Sequence, residues 1–380
     1  MPDQKSTRTG RKGNPDGRSI SLKELAKHLK LSPTTLSLVL NDSPGATSIP
    51  QETKDRIFAA AKDFNYRANF LARSLRSQRT YTVGVLVPEL SEGYSALVLS
   101  GIESFLLEKG YLYLVVSHWH KAKLLAHLPR FLYERCVEGL IGVDTPYDQR
   151  LPVPVVCISG HLRTLGVTRI VLNHTMAAEL ALGYLKELRH RDIAFIRGQD
   201  FSSDTKVRWD SIRTVARRMD LRVAPPLVVQ LGGDSPSPET GYIAARQLLA
   251  SERPFTALFA FNDVSAIGAI RALREAGKRV PEDVSVVGFD NIPSGAFHIP
   301  ALTTICQPLA RMGALAAEVL LKRIAEPDAA CPEEFEVEPE LIVRESTCAA
   351  PVHATRRAGL KPHAGSSPPP AAATIRLQDN

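Results

Sequence analysis

Between Tyr81 and Thr347 the chain alternates short, almost wholly apolar runs with amphipathic segments of helical length, and that alternation leaves few folds open. The runs are "TVGVLV", "LYLVVS", "GLIGV", "PVVCI", "TRIVL", "DIAFIR", "PLVVQL", "TALFAF" and "VSVVGF". Between most of them lie helical stretches such as "ALVLSGIESFLLEKG" and "DVSAIGAIRALREAG". A strand that is apolar on both faces must be covered on both, and helices between successive strands supply the cover, so the pattern predicts parallel sheets. Nine or more strands over roughly 265 residues exceed one compact unit, so two doubly wound subdomains are expected.

Upstream the pattern changes. "SLKELAKHLK" starts with Ser21 and Glu24 in capping-box spacing and carries Leu22, Leu25, Ala26 and Leu29 on one face. Two residues later, "LSPTTLSLVLNDSPG" offers Ser32 as an N-cap and Pro33 in the first turn, with Leu36, Val39 and Leu40 at i, i+3 and i+4. Its other side is expected to show Thr34, Thr35, Ser37 and Leu38. Helices joined this tightly cross steeply, as in a helix-turn-helix. A third run, "QETKDRIFAAAKDFNY", offers Ile57, Phe58, Ala61 and Phe64 to close a small core. In such a unit the second helix can enter the DNA major groove, where hydroxyls meet phosphates or base edges and a threonine methyl meets a thymine methyl. Capped short helices occur in any helical domain, so this signal alone is weak.

Charge strengthens it. Residues 1–80 carry 15 Lys and Arg against 7 Asp and Glu, whereas the other 300 carry 32 against 33. A basic end on a near-neutral body suits phosphate neutralisation, although "KSTRTGRKGNPDGR" serves equally as a solubilising tail. The five cysteines form no C-x-x-C pair, no secretory signal precedes them and no apolar run approaches membrane-spanning length, so a cytoplasmic protein is expected.

The segments "LKELAKHLKLSPTTLSLVLNDSPGA", "RIFAAAKDFNYRANFLARSLRSQRTYTVGVLVPEL", "FNDVSAIGAIRALREAGKRVPEDVSVVGFDNIP" and "ALTTICQPL" resemble, in order, the lactose/galactose repressor family. The resemblance runs from about Ile20 to Thr347. It implies an α/β chain with a three-helix headpiece, a hinge helix and a two-lobed core like that of periplasmic sugar-binding proteins. The implied organisation is a basic tail over 1–18, a helix-turn-helix domain over 19–67 and a hinge over 68–80. An effector-binding and dimerisation core follows over 81–347, then a Pro/Ala/Ser-rich tail over 348–380. DNA contacts are implied at Ser32, Pro33, Thr34, Thr35, Ser37, Leu38 and Asn41, and in the hinge at Asn69, Ala72, Leu75 and Arg76. Leu75 would wedge into a base step and Arg76 would lie in the minor groove. Two departures stand out: Ala68 replaces the usual proline before the hinge asparagine, and Leu38 occupies a position often held by Arg or His. Leucine makes no bidentate guanine contact, so specificity is expected to rest on Thr34, Ser37 and DNA shape.

For the core, the resemblance implies an effector held by Tyr94, Arg208, Asn262 and Asp290. A guanidinium fork, an amide and a carboxylate suit a polyhydroxylated molecule, most simply a sugar or sugar derivative. The plainer alternative has Asn262 capping a helix and the two charged residues in surface pairs. Trp119 is either a stacking ring or a core residue. The H-x-H of His118 and His120 lacks a nearby acidic or Cys partner in sequence, so no metal or cofactor is expected.

The implied function is a ligand-responsive repressor that binds a palindromic operator as a homodimer, without membrane association. An enzyme on the same fold is disfavoured because no G-x-G-x-x-G follows the first strand and neither a phosphate-loop lysine motif nor G-x-S-x-G occurs. A transport-type binding protein shares the core but not the basic headpiece.

Overall fold

The structure is a computed structural model that describes residues 20–41, 43–66, 74, 79–90, 93–148, 150–159, 161, 163–233 and 237–351. Its headpiece consists of α1 (Leu22–Leu29), α2 (Pro33–Leu40) and α3 (Gln51–Asp63). Ser21 and Glu24 form the expected capping box, and Lys30 ends α1 in the left-handed region at φ 56°. Leu25, Leu36 and Ile57, all 0% exposed, meet at the centre, one from each helix. Phe58 departs from expectation: it is 51% exposed, and Ala60 takes the inward position instead. In a helix Phe58 lies 100° from Ile57, and a core this small accepts one narrow stripe from α3.

The core has two six-stranded sheets. In lobe 1 the order is β11-β5-β4-β3-β1-β2, with β1 Thr82–Val87, β2 Leu112–Ser117, β3 Gly139–Val143, β4 Val155–Ile158, β5 Val167–Leu172 and β11 Glu334–Val337. In lobe 2 it is β12-β10-β9-β8-β6-β7, with β6 Ile193–Arg197, β7 Val228–Gln230, β8 Ala257–Phe259, β9 Ser285–Phe289, β10 Thr303–Cys306 and β12 Glu340–Ile342. Every pairing is parallel except β10 with β12. The chain crosses between lobes after β5, after β10 and between β11 and β12. All nine apolar runs became strands. Three further strands, β10, β11 and β12, lie in stretches that carry more polar residues.

Lobe 1 is covered by α4 (Tyr94–Glu108), α5 (Ala122–Glu134) and α11 (Leu309–Ala325). Lobe 2 is covered by α6 (His174–Glu187), α7 (Ser203–Arg218), α8 (Pro238–Ala250) and α9 (Asp263–Glu275), with the short α10 (Pro293–Ala296) packed on α9. One helix pair in each lobe crosses through glycines. A Cβ on Gly101 of α4 would lie 1.8 Å from the Ala310 carbonyl oxygen, and one on Gly268 of α9 would lie 1.7 Å from that of Pro238. The ordered core runs past Thr347: the Cys348 N–H donates to Ser285 Oγ and the Ala350 N–H to the Leu188 carbonyl, pinning this segment to lobe 2. No helix among the described residues is long and apolar enough to cross a membrane.

Candidate effector cleft and DNA-binding face

The two sheets bring the carboxyl ends of β1, β3, β6, β8 and β9 to one crevice, the place where open α/β sheets bind ligands. Tyr94, Arg208, Asn262 and Asp290 all line it, around a cavity of about 60 Å³. Arg208 is 5% exposed and lies between two rings, its guanidinium carbon 3.7 Å from the Phe289 centroid and 4.4 Å from that of Phe261. One terminal nitrogen donates to the Phe261 carbonyl at 2.6 Å and the other to Asp204 Oδ2 at 3.2 Å. Its Nε has no partner among the described residues, and neither has Gln199 Nε2 at the same cleft. Buried donors without acceptors cost about 1–3 kcal/mol each, so the cavity offers two donors to any group that accepts hydrogen bonds.

Asp290 follows β9 at φ 106° and accepts from Gln307 Nε2 at 2.6 Å. Burial pushes its carboxyl up to about 8, with Arg208 and Gln307 opposing and Asp263 and Asp204 adding to the rise. Near neutral pH it is therefore a donor as well as an acceptor. Asn262 does cap α9: its Oδ1 accepts from the Ser265 N–H at 2.9 Å, while its residue still faces the cavity. Asn262 thus caps α9 and lines the cavity at once. Tyr94 donates to Ser159 Oγ at 2.6 Å.

Several cleft residues were not anticipated. Glu89, Asp144 and Asp204 add three carboxylates, and Phe201 and Phe261 supply aromatic surface. Of the histidine pair, His120 lines the cleft and stacks on Phe201 at 3.9 Å. His118 turns inward, bonded to Thr145 Oγ1 at 3.0 Å, and burial lowers its imidazole to about 4. Trp119 is neither a core residue nor a lining one; it is 48% exposed outside the cavity. The readable signal is position: Glu89, His120, Asp144, Phe201 and Phe261 follow within four residues of the carboxyl end of an apolar strand, and Asp204 lies in the first turn of the next helix.

In the headpiece, Ser32 caps α2, its Oγ accepting from the Thr35 N–H at 3.0 Å and lying 2.8 Å from Thr35 Oγ1. Ser32, Pro33 and Thr34 are exposed and Thr35 half-buried, so these four form the outward face of the helix start. Ser37 and Leu38 correct the expectation of a fully outward side. Ser37 is 7% exposed, and Asn41 Nδ2 donates to its carbonyl at 2.7 Å, closing the helix end. Leu38 is half-buried over Gly45, whose added Cβ would stand 3.2 Å from Leu38 Cδ2. An eight-residue helix packed on two neighbours has little surface left beyond its first turn. The hinge positions Asn69, Ala72, Leu75 and Arg76 lie outside the described residues.

Comparison with known proteins decides the family. The chain is 35% identical over 347 residues to the HTH-type transcriptional repressor PurR of Yersinia pestis bv. Antiqua (strain Antiqua), an alignment covering 89% of this chain and 99% of the relative. The chain belongs to the lactose/galactose repressor family. A second relative, the PurR repressor of Yersinia enterocolitica serotype O:8 / biotype 1B, is 34% identical over the same shares of both chains. The profile described as "Periplasmic binding protein-like domain" matches residues 182–347. Among solved structures, the transcriptional regulator CelR–cellobiose complex is similar at TM-score 0.63 and 27% identity, covering 86% of this chain and 99% of that one. The Lac repressor bound to ONPG in its repressed state is similar at TM-score 0.77 and 25% identity, covering 87% and 100%. Headpiece and two-lobed core are thus those of a DNA-binding transcriptional regulator, and the relatives named above are regulators rather than enzymes.

Proposed function

We propose that the protein represses transcription as a homodimer on a palindromic operator and that a small polar molecule in the interlobe cleft governs its DNA affinity. The exposed start of α2, with Ser32, Pro33, Thr34 and Thr35, meets the major groove, and Leu38 and Asn41 flank it. Ser37, being buried, supports that helix rather than reading bases. Asn69, Ala72, Leu75 and Arg76 serve the minor groove. The action is binding, not turnover, and takes place in the cytoplasm, in keeping with five free cysteines.

The observation that carries the effector reading is the pair of buried, unpaired donors, Arg208 Nε and Gln199 Nε2, facing the same cavity as Asp290. Hydroxyls of a sugar or sugar derivative accept from the first two and exchange hydrogen bonds with the third. An anionic effector fits less well, because the Asp204 carboxylate already engages Arg208, the one arginine lining the cavity, and Glu89 and Asp144 lie at the same cleft. Cellobiose in the CelR relative is a ligand of the favoured kind.

The test uses the full-length protein. Operator sites selected from fragmented genomic DNA identify the neighbouring genes, and the substrates of their products are titrated against the protein–operator complex by fluorescence anisotropy. A neutral polyhydroxylated compound is expected to shift operator affinity in the wild type and to lose that effect in Arg208→Met. Selection of no common sequence would refute the operator reading. A response carried equally by Arg208→Met would refute the cleft.

A further inference from the structure

Beside the cleft, three side chains from separate parts of the chain converge in a way the effector reading does not use. His161 lies in the loop between β4 and β5 of lobe 1, His174 opens α6, and Asp204 lies in the first turn of α7 in lobe 2. One ligand atom from each lies within 4.8 Å of the others. His161 Nε2 is 2.7 Å and His174 Nε2 is 3.5 Å from the same oxygen, Asp204 Oδ1. We propose that His161, His174 and Asp204 form a site for one divalent first-row transition ion, of which zinc is the type, clamped between the two lobes.

The geometry carries this. Donors of a tetrahedral zinc site stand roughly 3.4 Å apart, given metal–ligand distances near 2.1 Å. The His174–Asp204 separation, 3.5 Å, is close to that value, and the His161–Asp204 separation, 2.7 Å, reaches it by opening about 0.7 Å, as the proton of their hydrogen bond gives way to the ion. His174 is 3% exposed, yet its Nδ1 has no hydrogen-bond partner among the described residues and its Nε2 reaches only Asp204, at a long 3.5 Å. An orphaned imidazole buried beside a carboxylate is short of something that accepts its lone pair.

Protonation agrees with the geometry. Burial lowers the His174 imidazole against the pull of Asp204, which leaves it neutral and its lone pair available. Burial opposes ionisation of Asp204, yet His174, His161 and Arg208 hold its carboxyl well below the usual range, so it is an anion. Arg208 engages the other oxygen, Oδ2, at 3.2 Å. That contact orients the ligating carboxylate as supporting residues do around metals, and its positive charge makes the site weaker than a closed four-ligand one. Two imidazoles and one carboxylate select zinc, cobalt or nickel over magnesium or calcium, and three protein ligands leave one position for water or an effector oxygen.

The experiment uses full-length protein freed of metal by chelation. Zn²⁺ is titrated by calorimetry and Co²⁺ by the visible bands of a tetrahedral complex. The wild type, His161→Ala, His174→Ala and a His353→Ala/His363→Ala control are compared, and each variant's metal-free melting curve checks its fold. One ion per chain is expected in the wild type and the control, and affinity should fall by more than about tenfold in each single variant, the loss that removing a mere supporting residue produces. His161→Ala, at a half-buried loop position, decides the matter if His174→Ala does not fold. Absence of a saturable cobalt band in the wild type, or its survival in His161→Ala, overturns the proposal.

Discussion

Replacing Asp290 by asparagine should stabilise the protein at neutral pH while abolishing its response to effector. Asp290 is 5% exposed, and burial raises its carboxyl from 3.8 to about 8. A carboxyl whose folded value lies above its unfolded one contributes stability that is whole below the unfolded value. That stability is lost as pH rises through the folded value, because the unfolded chain releases the proton first. The window is therefore from about pH 4 to about pH 8, with a slope near 1.4 kcal/mol per pH unit. Between pH 5 and pH 7 the wild type should lose about 3 kcal/mol through this residue alone. Asparagine keeps an oxygen for the Gln307 amide, 2.6 Å away in the wild type, and tolerates the positive φ of 106° better than most residues. It carries no proton to release. The assay is urea unfolding of both proteins at pH 5, 6, 7 and 8, read as the difference between them so that Asp144 and Asp263, whose carboxyls are also raised, cancel. The difference should grow in favour of Asp290→Asn as pH rises, while the effector's influence on operator affinity disappears. Parallel pH profiles for the two proteins would refute the argument, since they would mean that Asp290 ionises freely in the folded cleft.

Leu36→Ala empties the centre of a headpiece core that has only one large, fully buried residue from each helix; at about 2–5 kcal/mol it should unfold the headpiece and abolish operator binding, leaving the melting of the two-lobed core unchanged. Leu38→Arg should alter the sequences selected from random oligonucleotides, because the long side chain leaves its seat over Gly45 for the groove; identical selected sites would show that the position stays clear of the bases. Leu75→Ala should weaken operator binding and reduce DNA bending with the core still folded, measured by anisotropy and gel mobility. Gly268→Val drives a side chain into the Pro238 carbonyl and should lower the melting temperature of the core by several degrees, by calorimetry, without a change of fold.

Local chemistry was legible in the sequence, and convergence over distance was not. The Ser21–Glu24 capping box, the Ser32 cap and the nine strand runs depend on neighbours within a few residues, and each has a physical reason to be visible in a short window. The strand β11 was missed because it alternates Glu334, Phe335, Glu336 and Val337, half-exposed at a sheet edge, and so lacks the all-apolar character of the central strands. Ser37 misled because a hydroxyl counts as polar on a helical wheel, yet a small one with its backbone carbonyl engaged by Asn41 is cheap to bury. His161, His174 and Asp204 are 13 and 30 residues apart along the chain, with no metal-ligand spacing. Only the packing of α6 on α7, with the β4–β5 loop against both, brings them together.

The same packing suggests how an effector reaches the DNA-binding end. Lobe 1 touches lobe 2 through the start of α7 and the loop before it. Asp144 Oδ1 accepts from the Ser203 N–H at 3.0 Å and from its Oγ at 2.6 Å, His120 stacks on Phe201, and His161 meets Asp204. Arg208 lies one turn further along that helix, tied to Asp204 at i,i+4. A ligand that draws on Arg208 therefore acts on the element that holds the lobes together. At the far side of lobe 1, Glu138, just before β3, accepts from Arg79 Nε at 2.9 Å and from the Tyr81 N–H at 2.8 Å, which fixes the chain just before β1. A shift of lobe 1 must carry Glu138 with it, because β3 is buried along its whole length in the sheet. In the proposed operator-bound dimer, residues 68–80 of the two subunits would then move together or apart with the cleft. Linkage requires the reverse as well: operator that fixes the hinge spacing must change the affinity of the cleft for its effector by the same factor.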